Sequence, residues 1–535
     1  MQSLSQRLLI SFSAIFLLLT ANVSFFRETL HAYPPGDGNW LFLAAIALAL
    51  LAVMVFVMSL FALLLPVRVV ATLFVLLAAV SGYFTDQFGT IIDTVMIENT
   101  LQTDPAEVRD LLSAGFLMRV ALLGVVSTVL IWMVPLRTMS LPRRAGHHGL
   151  TAAASLVVLV LVLLSNGDQF AGFFREHKAL RTYTNPLTPI YSGIRYASHN
   201  AASAQAGVLA TIAPDARIPQ HEAGEEEHEA HELIILVVGE TARRDHFSLN
   251  GYERKTNPLL EQEERLVDYT NISSCGTSTA ISVPCMFARE GHNDFSLDDA
   301  RHEENLLDIL QRVGVSVLWR DNNSSSKGVA DRVPYEDFKS PKHNPVCDAE
   351  CRDVGMLAGL QEYIDKQPGD ILIVLHQMGN HGPAYFKRYP PEFEHFTPAC
   401  KSLDLSGCSQ EEIVNAYDNA ILYTDFFLSQ VISLLKENTP NYATAMLYVS
   451  DHGESLGEMG LYLHGMPYMM APKEQTEVAT MLWLGESADM DLQQALALKD
   501  KKSSHDAVFN SVLTAFEVES EVIDRSNVLF QASNP

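Results

Sequence analysis

The chain has 535 residues, 48% of them hydrophobic and only 19% charged, with a mean hydropathy of +0.10, yet 63 acidic side chains face 37 basic ones for a net charge of −26. Positive hydropathy with few charges excludes a disordered chain, and the length allows about three domains, part of which must lie in a membrane. The acidic balance argues against nucleic acid as a partner, because phosphate backbones are bound by clustered Lys and Arg.

The two properties separate along the chain. Residues 1–170 carry 8 basic and 9 acidic side chains, and the remainder carries 29 and 54, a net −25. Five apolar runs, at 8–26, 41–65, 69–84, 114–134 and 150–164, predict five membrane spans. The third and fifth are marginal for a helix that needs about 20 residues to cross. The stretch after the third run holds Asp86, Asp93, Glu98, Asp104, Glu107 and Asp110 against Arg109 alone, whereas Arg137, Arg143 and Arg144 precede the fifth without an acid. With positive charge inside, the N-terminus is cytoplasmic and everything after the fifth run is on the outer side. Arg7 before the first run also suits a cleaved signal peptide, but no A-x-A site follows and the later spans continue the pattern, so a span is the expectation. All six cysteines, Cys275, Cys285, Cys347, Cys351, Cys400 and Cys408, fall in the outer half in three close pairs, as an oxidising compartment allows. Their connectivity is open from sequence; nearest-neighbour pairing is favoured over a zinc site at Cys347 and Cys351, which lack a second ligand pair.

Residues 167–200 mix Phe170, Phe173, Phe174, Tyr183, Tyr191 and Tyr196 with Arg and Lys, which suits either short helices at a membrane surface or an ordinary linker. Residues 222–232 are a Glu- and His-rich run, read as a flexible tether before metal capture. From there the pattern alternates α and β. Runs 233–238, 315–319, 371–375 and 443–449 have the length and Ile/Val/Leu content of buried parallel strands, with helical segments at 303–313, 411–436 and 504–516, so an open α/β sheet is expected. The domain boundaries expected are 1–166 for the spans, 167–232 for the joining segments and 233–535 for the outer domain.

Ligands of such sheets bind beyond the strands' carboxyl ends. The four runs lead into Gly239-Glu240-Thr241, Arg320-Asp321-Asn322-Asn323, His376-Gln377-Met378-Gly379-Asn380-His381 and Ser450-Asp451-His452-Gly453-Glu454. Glu240, Asp451 and His452 supply oxygen donors and an imidazole suited to Zn²⁺ or Mn²⁺, and Gly453 permits the turn that lets adjacent Asp and His face one ion. Taken singly each is more often a loop residue; together a metal site is favoured. The hydroxyl-rich segment from Cys275 to Cys285 precedes a helical turn whose N–H groups attract phosphate, although such turns are more often plain N-caps. HExxH, a Walker A loop and G-x-S-x-G are absent, against a zincin, a P-loop hydrolase and a serine esterase.

The segments at 238–241, 275–287, 318–328, 376–390 and 450–467 resemble the phosphoethanolamine–lipid A transferases, including the mobile colistin-resistance enzymes, over nearly the whole chain. The resemblance implies five spans and a periplasmic zinc-dependent domain of the alkaline-phosphatase/sulfatase type, in the inner membrane of a Gram-negative bacterium, with a monomer expected. By matching motif, it implies that Thr279 is the nucleophile. Glu240, Thr279, Asp451 and His452 surround one tightly bound zinc, and His381 and His464 stand beside it for substrate, leaving group or a second zinc. Asn323, Ser324 and Lys327 hold the phosphoethanolamine group, with Asn99, Thr103 and Glu107 on the membrane side of the donor site. It implies disulfides Cys275 with Cys285, Cys347 with Cys351 and Cys400 with Cys408. The donor implied is phosphatidylethanolamine and the acceptor a lipid A phosphate, with polymyxin resistance as the consequence. The acidic run at 222–232 has no family role. The same fold with a core-sugar acceptor or with phosphoglycerol transfer is the competing reading. A sulfatase needs a Cys or Ser in a C/S-x-P-x-R signature, and Cys275 and Cys285 lack that context, while a membrane-bound sensor with a vestigial site conflicts with the filled positions.

Overall fold

The computed structural model describes residues 3–103, 105–177, 179–203, 209–219 and 230–531, so most of the acidic run at 222–232 lies outside the described residues. Two compact units emerge: residues 1–97 with 111–199, and residues 98–110 with 200–535.

The first unit is helical. Helices α1 (Gln6–Thr20) and α2 (Val23–Ala32) are followed by α3 (Trp40–Leu64) and α4 (Val67–Phe88), then, after α5 (Thr94–Gln102) and α6 (Pro105–Leu111), by α7 (Ala114–Met133) and α8 (Leu141–Ser165). Four of these, α3, α4, α7 and α8, are long and apolar enough to cross a membrane. The first predicted run is instead bent by 60° between α1 and α2, so among the described residues the count is four, or five if that pair is one span. Asn22 accounts for the break. Its side-chain amide donates to the Leu17 carbonyl (3.0 Å) and to the Asn185 carbonyl (2.8 Å), while Ser24 donates to Asp86 (2.7 Å). These polar groups satisfy one another where the helical ladder stops, as an apolar surrounding demands. The two marginal runs become helices of 22 and 25 residues, because the backbone hydrogen-bond ladder continues through the flanking Thr, Arg and His residues. Beyond them α9 (Gly167–Glu176) packs Phe170 and Phe173 against Phe42, and α10 (Leu187–Ser203) follows.

The second unit is built on a seven-stranded sheet. In chain order its strands are β1 (Glu232–Gly239), β2 (Leu266–Asp268), β3 (Ser316–Asp321), β4 (Tyr335–Asp337), β5 (Ile371–His376), β6 (Ala443–Ser450) and β7 (Thr480–Leu484), arranged β2-β7-β6-β1-β5-β3-β4. All but β7 run parallel. The central strands are buried on both faces, which explains their continuous apolar runs. Ile234, Leu236 and Val238 of β1 join one core with α11 (Thr279–Phe287), α12 (Leu306–Arg312) and α14 (Asp506–Ala515), whereas α13 (Gln410–Asn438) lies against β6. A capping box of Ser409 and Glu412 starts α13.

Candidate active site

Parallel strands deliver their carboxyl ends to one edge, and β1 and β6 are in register with Gly239 opposite Ser450. The next residues, Glu240 and Asp451, therefore emerge side by side. Two glycines make room: a Cβ on Gly239 would come within 2.5 Å of the Tyr448 hydroxyl, and one on Gly379, at φ +51°, within 2.9 Å of the Glu240 carbonyl.

Glu240, Asp451 and His452 are fully buried, and one ligand atom from each lies within 4.8 Å of the others. Asp451 Oδ1 accepts from the backbone N–H groups of Thr241 (3.1 Å) and His452 (2.7 Å), while Oδ2 has no hydrogen-bond donor among the described residues. Burial lowers the His452 pKa to about 4, so the imidazole is neutral near pH 7. Its Nδ1–H donates to the Gly453 carbonyl (2.9 Å), which leaves the Nε2 lone pair 3.3 Å from Asp451 Oδ2 and 3.6 Å from a Glu240 oxygen. Lone pairs converging in a dry pocket repel unless a cation stands among them. Two carboxylates and a neutral imidazole fit a divalent metal, with zinc well matched.

Thr279, the first residue of α11, points its hydroxyl at this group, donating to Glu240 Oε2 (3.1 Å) and lying 3.4 Å from His452 Nε2. The Cys275–Cys285 disulfide spans the start of the helix. The Thr277 hydroxyl donates to the Met466 carbonyl (2.6 Å) and Gly465 N–H to the Thr277 carbonyl (2.8 Å), which ties the segment before Thr279 to the loop bearing His464. The His464 ring lies 4.3 Å from that of His452 and 5.3 Å from that of His381. Its Nδ1 donates to Glu454 (2.8 Å), which also accepts from the Tyr385 hydroxyl (2.6 Å). Glu454 follows the β6 strand end in the sequence, but only its partners reveal what it orients.

Asn323 donates to Glu240 Oε2 and to the Gln377 carbonyl, both at 2.7 Å. Lys327 Nζ folds onto the Ser324 hydroxyl (2.7 Å) and carbonyl (2.9 Å) and reaches the Gln102 carbonyl (3.3 Å). The turn is strained, with φ of 87° at Ser325 and 54° at Lys327, and Asp321 holds it. Asp321 Oδ1 accepts from the N–H groups of Asn323 (3.0 Å) and Ser325 (3.2 Å), and Oδ2 from Trp319 (2.9 Å) and His376 (3.0 Å). Burial pushes this carboxyl up, but the charge and hydrogen bond of His376 and the Trp319 bond outweigh it and leave the pKa below the ordinary value.

The acidic loop after α4 belongs to this unit from Glu98 to Asp110. Glu98 pairs with Arg301 and Asp110 with Lys387 and Arg388, so both are buried. Thr103 donates to the Asn99 carbonyl (2.7 Å), and the Glu107 side chain lies outside the described residues. Cys347–Cys351 and Cys400–Cys408 form the other two disulfides, completing the pairing that the resemblance implies.

A mostly parallel sheet with acids, a histidine and a helix-borne hydroxyl at its carboxyl edge defines a protein of the alkaline-phosphatase/sulfatase superfamily, and the family model described as Sulfatase matches residues 232–518. The model described as Phosphoethanolamine transferase EptA/EptB matches residues 50–201. The chain is 44% identical to Phosphatidylethanolamine transferase Mcr-1 of Escherichia coli, covering 98% of this chain and 97% of that one, and 35% identical to Phosphoethanolamine transferase EptA of Escherichia coli K12, covering 97% and 95%. Among solved structures, the integral membrane lipooligosaccharide phosphoethanolamine transferase EptA of Neisseria meningitidis matches with a TM-score of 0.93 and 30% identity over 100% of both chains. The chain belongs to the phosphoethanolamine transferase family.

Proposed function

We propose that this protein transfers phosphoethanolamine from phosphatidylethanolamine to a phosphate of lipid A through a phosphothreonine at Thr279, with release of diacylglycerol. The observation that carries this reading is the Thr279 hydroxyl set against Glu240, Asp451 and His452 on a helix N-terminus. Zn²⁺ is the ion assigned to these residues; when bound it supplies Lewis acidity and lowers the proton affinity of the hydroxyl.

The residues then divide the work. Glu240 Oε2 orients the hydroxyl, and Asn323 fixes that carboxylate. In the first half-reaction Thr279 Oγ1 bonds to phosphorus and the bond from phosphorus to the diacylglycerol oxygen breaks; the proton lost by the threonine is replaced on that oxygen. His464, with Nδ1–H held by Glu454, takes up that proton on its other nitrogen and passes it to the leaving oxygen. In the second, an acceptor phosphate oxygen bonds to phosphorus, Thr279 Oγ1 leaves and regains a proton. Splitting one displacement in two lets a single nucleophile serve two lipids. His381 supports substrate or leaving group beside it; holding a second ion is the alternative role for it and His464. Lys327 and Ser324 give charge and hydrogen bonds to the phosphoryl oxygens.

Two lipid substrates accord with five spans in residues 1–166, α1 and α2 forming a bent first one, a join at 167–232 and a periplasmic catalytic domain at 233–535. The placement is the inner membrane with a cytoplasmic N-terminus, as a monomer. The chain's similarity to a lipooligosaccharide transferase supports a lipopolysaccharide-type acceptor, and neutralising its phosphates would confer polymyxin resistance. Mass spectrometry of lipid A from cells with and without the protein tests the acceptor. Phosphoethanolamine on lipid A is the expected result; its appearance on core sugars alone would move the acceptor. Intact-mass analysis should show an adduct on the wild type and none on Thr279→Ala.

A further inference from the structure

One buried histidine, His505, takes no part in either displacement. It stands directly before α14 and is fully buried. Its segment arrives by a short parallel ladder, Ser503 and Ser504 against Ile272 and Ser273, so the next residue meets the stretch that leads to Thr279. There the ring spans two backbones. Nδ1 accepts from the Cys275 N–H (3.2 Å), and Nε2–H donates to the Ser450 carbonyl (2.9 Å). These partners fix the tautomer, because an amide N–H needs a bare ring nitrogen and a carbonyl needs a protonated one. Burial lowers the ring's pKa to about 4, so it is neutral near pH 7, as this pairing demands.

Both partners matter by their place. Cys275 opens the disulfide-closed segment that carries Thr279, and Ser450 ends β6 directly before Asp451. The Cys275 carbonyl is held separately. His292 Nδ1–H donates to it (2.6 Å), the His292 N–H donates to Asp506 (2.9 Å), and the His292 ring lies 4.0 Å from that of Tyr468, whose hydroxyl donates to the Ser274 carbonyl (2.7 Å). Those bonds fasten Ser274 and Cys275 to neighbouring loops. The His505 pair fastens Cys275 to the strand that delivers Asp451 and His452.

We infer that His505 is a positioning residue for the transfer reaction, a strut that sets the Thr279 hydroxyl against Glu240, Asp451 and His452. This rests on the proposed role of Thr279 as nucleophile. Both displacements use the same oxygen, first to form its bond to phosphorus and then to break it, so a strut that places this oxygen serves both equally. Its two bonds act in series, and either one alone leaves one side free to drift. Misplacement of a reacting group by about 1 Å costs on the order of 100-fold in rate.

Two variants each keep one end of the strut. His505→Asn retains an acceptor near the Nδ1 position, and His505→Gln a donor near the Nε2 position. Full-length protein in mixed micelles is given phosphatidylethanolamine, the adduct is followed by intact mass, and its decay is then followed on adding lipid A. Each variant should lower kcat about 30-fold, with KM for phosphatidylethanolamine and zinc content within about twofold of wild type. Adduct formation and decay should slow by the same factor. Ile309→Val, which thins the core at α12, should lower the melting temperature without lowering kcat. Full activity in either His505 variant, a rise in KM with kcat intact, slowing of one half-reaction alone, or a matching kcat loss in Ile309→Val would each overturn the assignment. So would failure of both His505 variants to fold, which would make the ring a support of the domain and not of the site. A wild type that forms no adduct would instead overturn the parent reaction.

Discussion

Both edges of the central sheet bury carboxylates, and Asp321 and Asp451 at one are treated in the opposite way to Glu232 at the other. At the carboxyl edge Asp321 receives two backbone N–H groups, an indole and an imidazole, and Asp451 Oδ1 receives two backbone N–H groups. Both are held below the ordinary carboxylate value, burial being outweighed by the adjacent histidines and these donors. At the amino edge Glu232, the first residue of β1, lies among Asp489, Asp370 and Glu517, and burial with their repulsion raises its pKa to about 9. Strand length does not explain the contrast, because Glu232 and Glu240 bracket the same strand. The donors to Asp321 and Asp451 come largely from backbone N–H groups at the strand ends, whereas the Glu232 carboxyl faces Asp489, Asp370 and Glu517. Asp321 and Asp451 thus keep their negative charge, whereas burial raises both Glu232 and, at the carboxyl edge itself, Asp353.

Breaking the charged edge should cost most at Glu240, Asp451 and His452, the proposed metal ligands. Asp451→Asn keeps the shape but removes one anionic ligand. Zinc content by mass spectrometry should drop and transfer should fall by about a thousandfold or more; normal zinc content with normal transfer would remove Asp451 from the ligand set. Asp321→Asn should follow, since it leaves His376 without its anion and the Asn323 turn with a weaker acceptor. Loss of one partner of a buried pair predicts about 3 kcal/mol of destabilisation in thermal unfolding, together with weaker retention of phosphatidylethanolamine. Glu454→Gln should be milder, because Tyr385 and the metal ligands remain. A fall in kcat of about 30-fold is expected with zinc content intact, as the histidine loses its orienting carboxylate. An unchanged kcat would show that Glu454 serves packing alone.

The edges also differ in how far they can be read from the sequence alone. Runs such as 371–375 and 443–449 announce buried strands because both faces are apolar, and the acids and histidines directly after them mark the functional edge. Strands β2 and β4 have three residues each, too few for any periodicity to show, and the antiparallel β7 follows a turn that gives no sign of reversal. Glu98 and Asp110 look like a solvated acidic loop, since the Arg301, Lys387 and Arg388 that neutralise them lie more than 200 residues away. Asp321 and Glu454 stand in the right segments, but the His376 partner of the one and the Tyr385 partner of the other come from elsewhere in the sequence. Pairwise chemistry at long range, not composition, distinguishes a ligand from the group that positions it.

The smallest effect is expected at the amino edge, where it isolates the contrast from catalysis. Glu232 has a folded pKa of about 9 against an ordinary 4.5, so between these values the folded state holds a proton that the unfolded state releases. Its contribution to stability is fully present below about pH 4.5 and is lost as pH rises toward 9. Glu232→Gln keeps a neutral side chain of the same shape at every pH and should abolish that slope. Thermal unfolding of the variant and the wild type should coincide near pH 5, and the variant should gain a few degrees, about 2–4 °C, near pH 8.5. Transfer activity at pH 7 should be the same in both, because Glu232 stands a full strand away from Thr279. Parallel unfolding curves across this range would mean that the carboxyl is ionised in the fold, and the two edges would then differ in their partners and not in their charge.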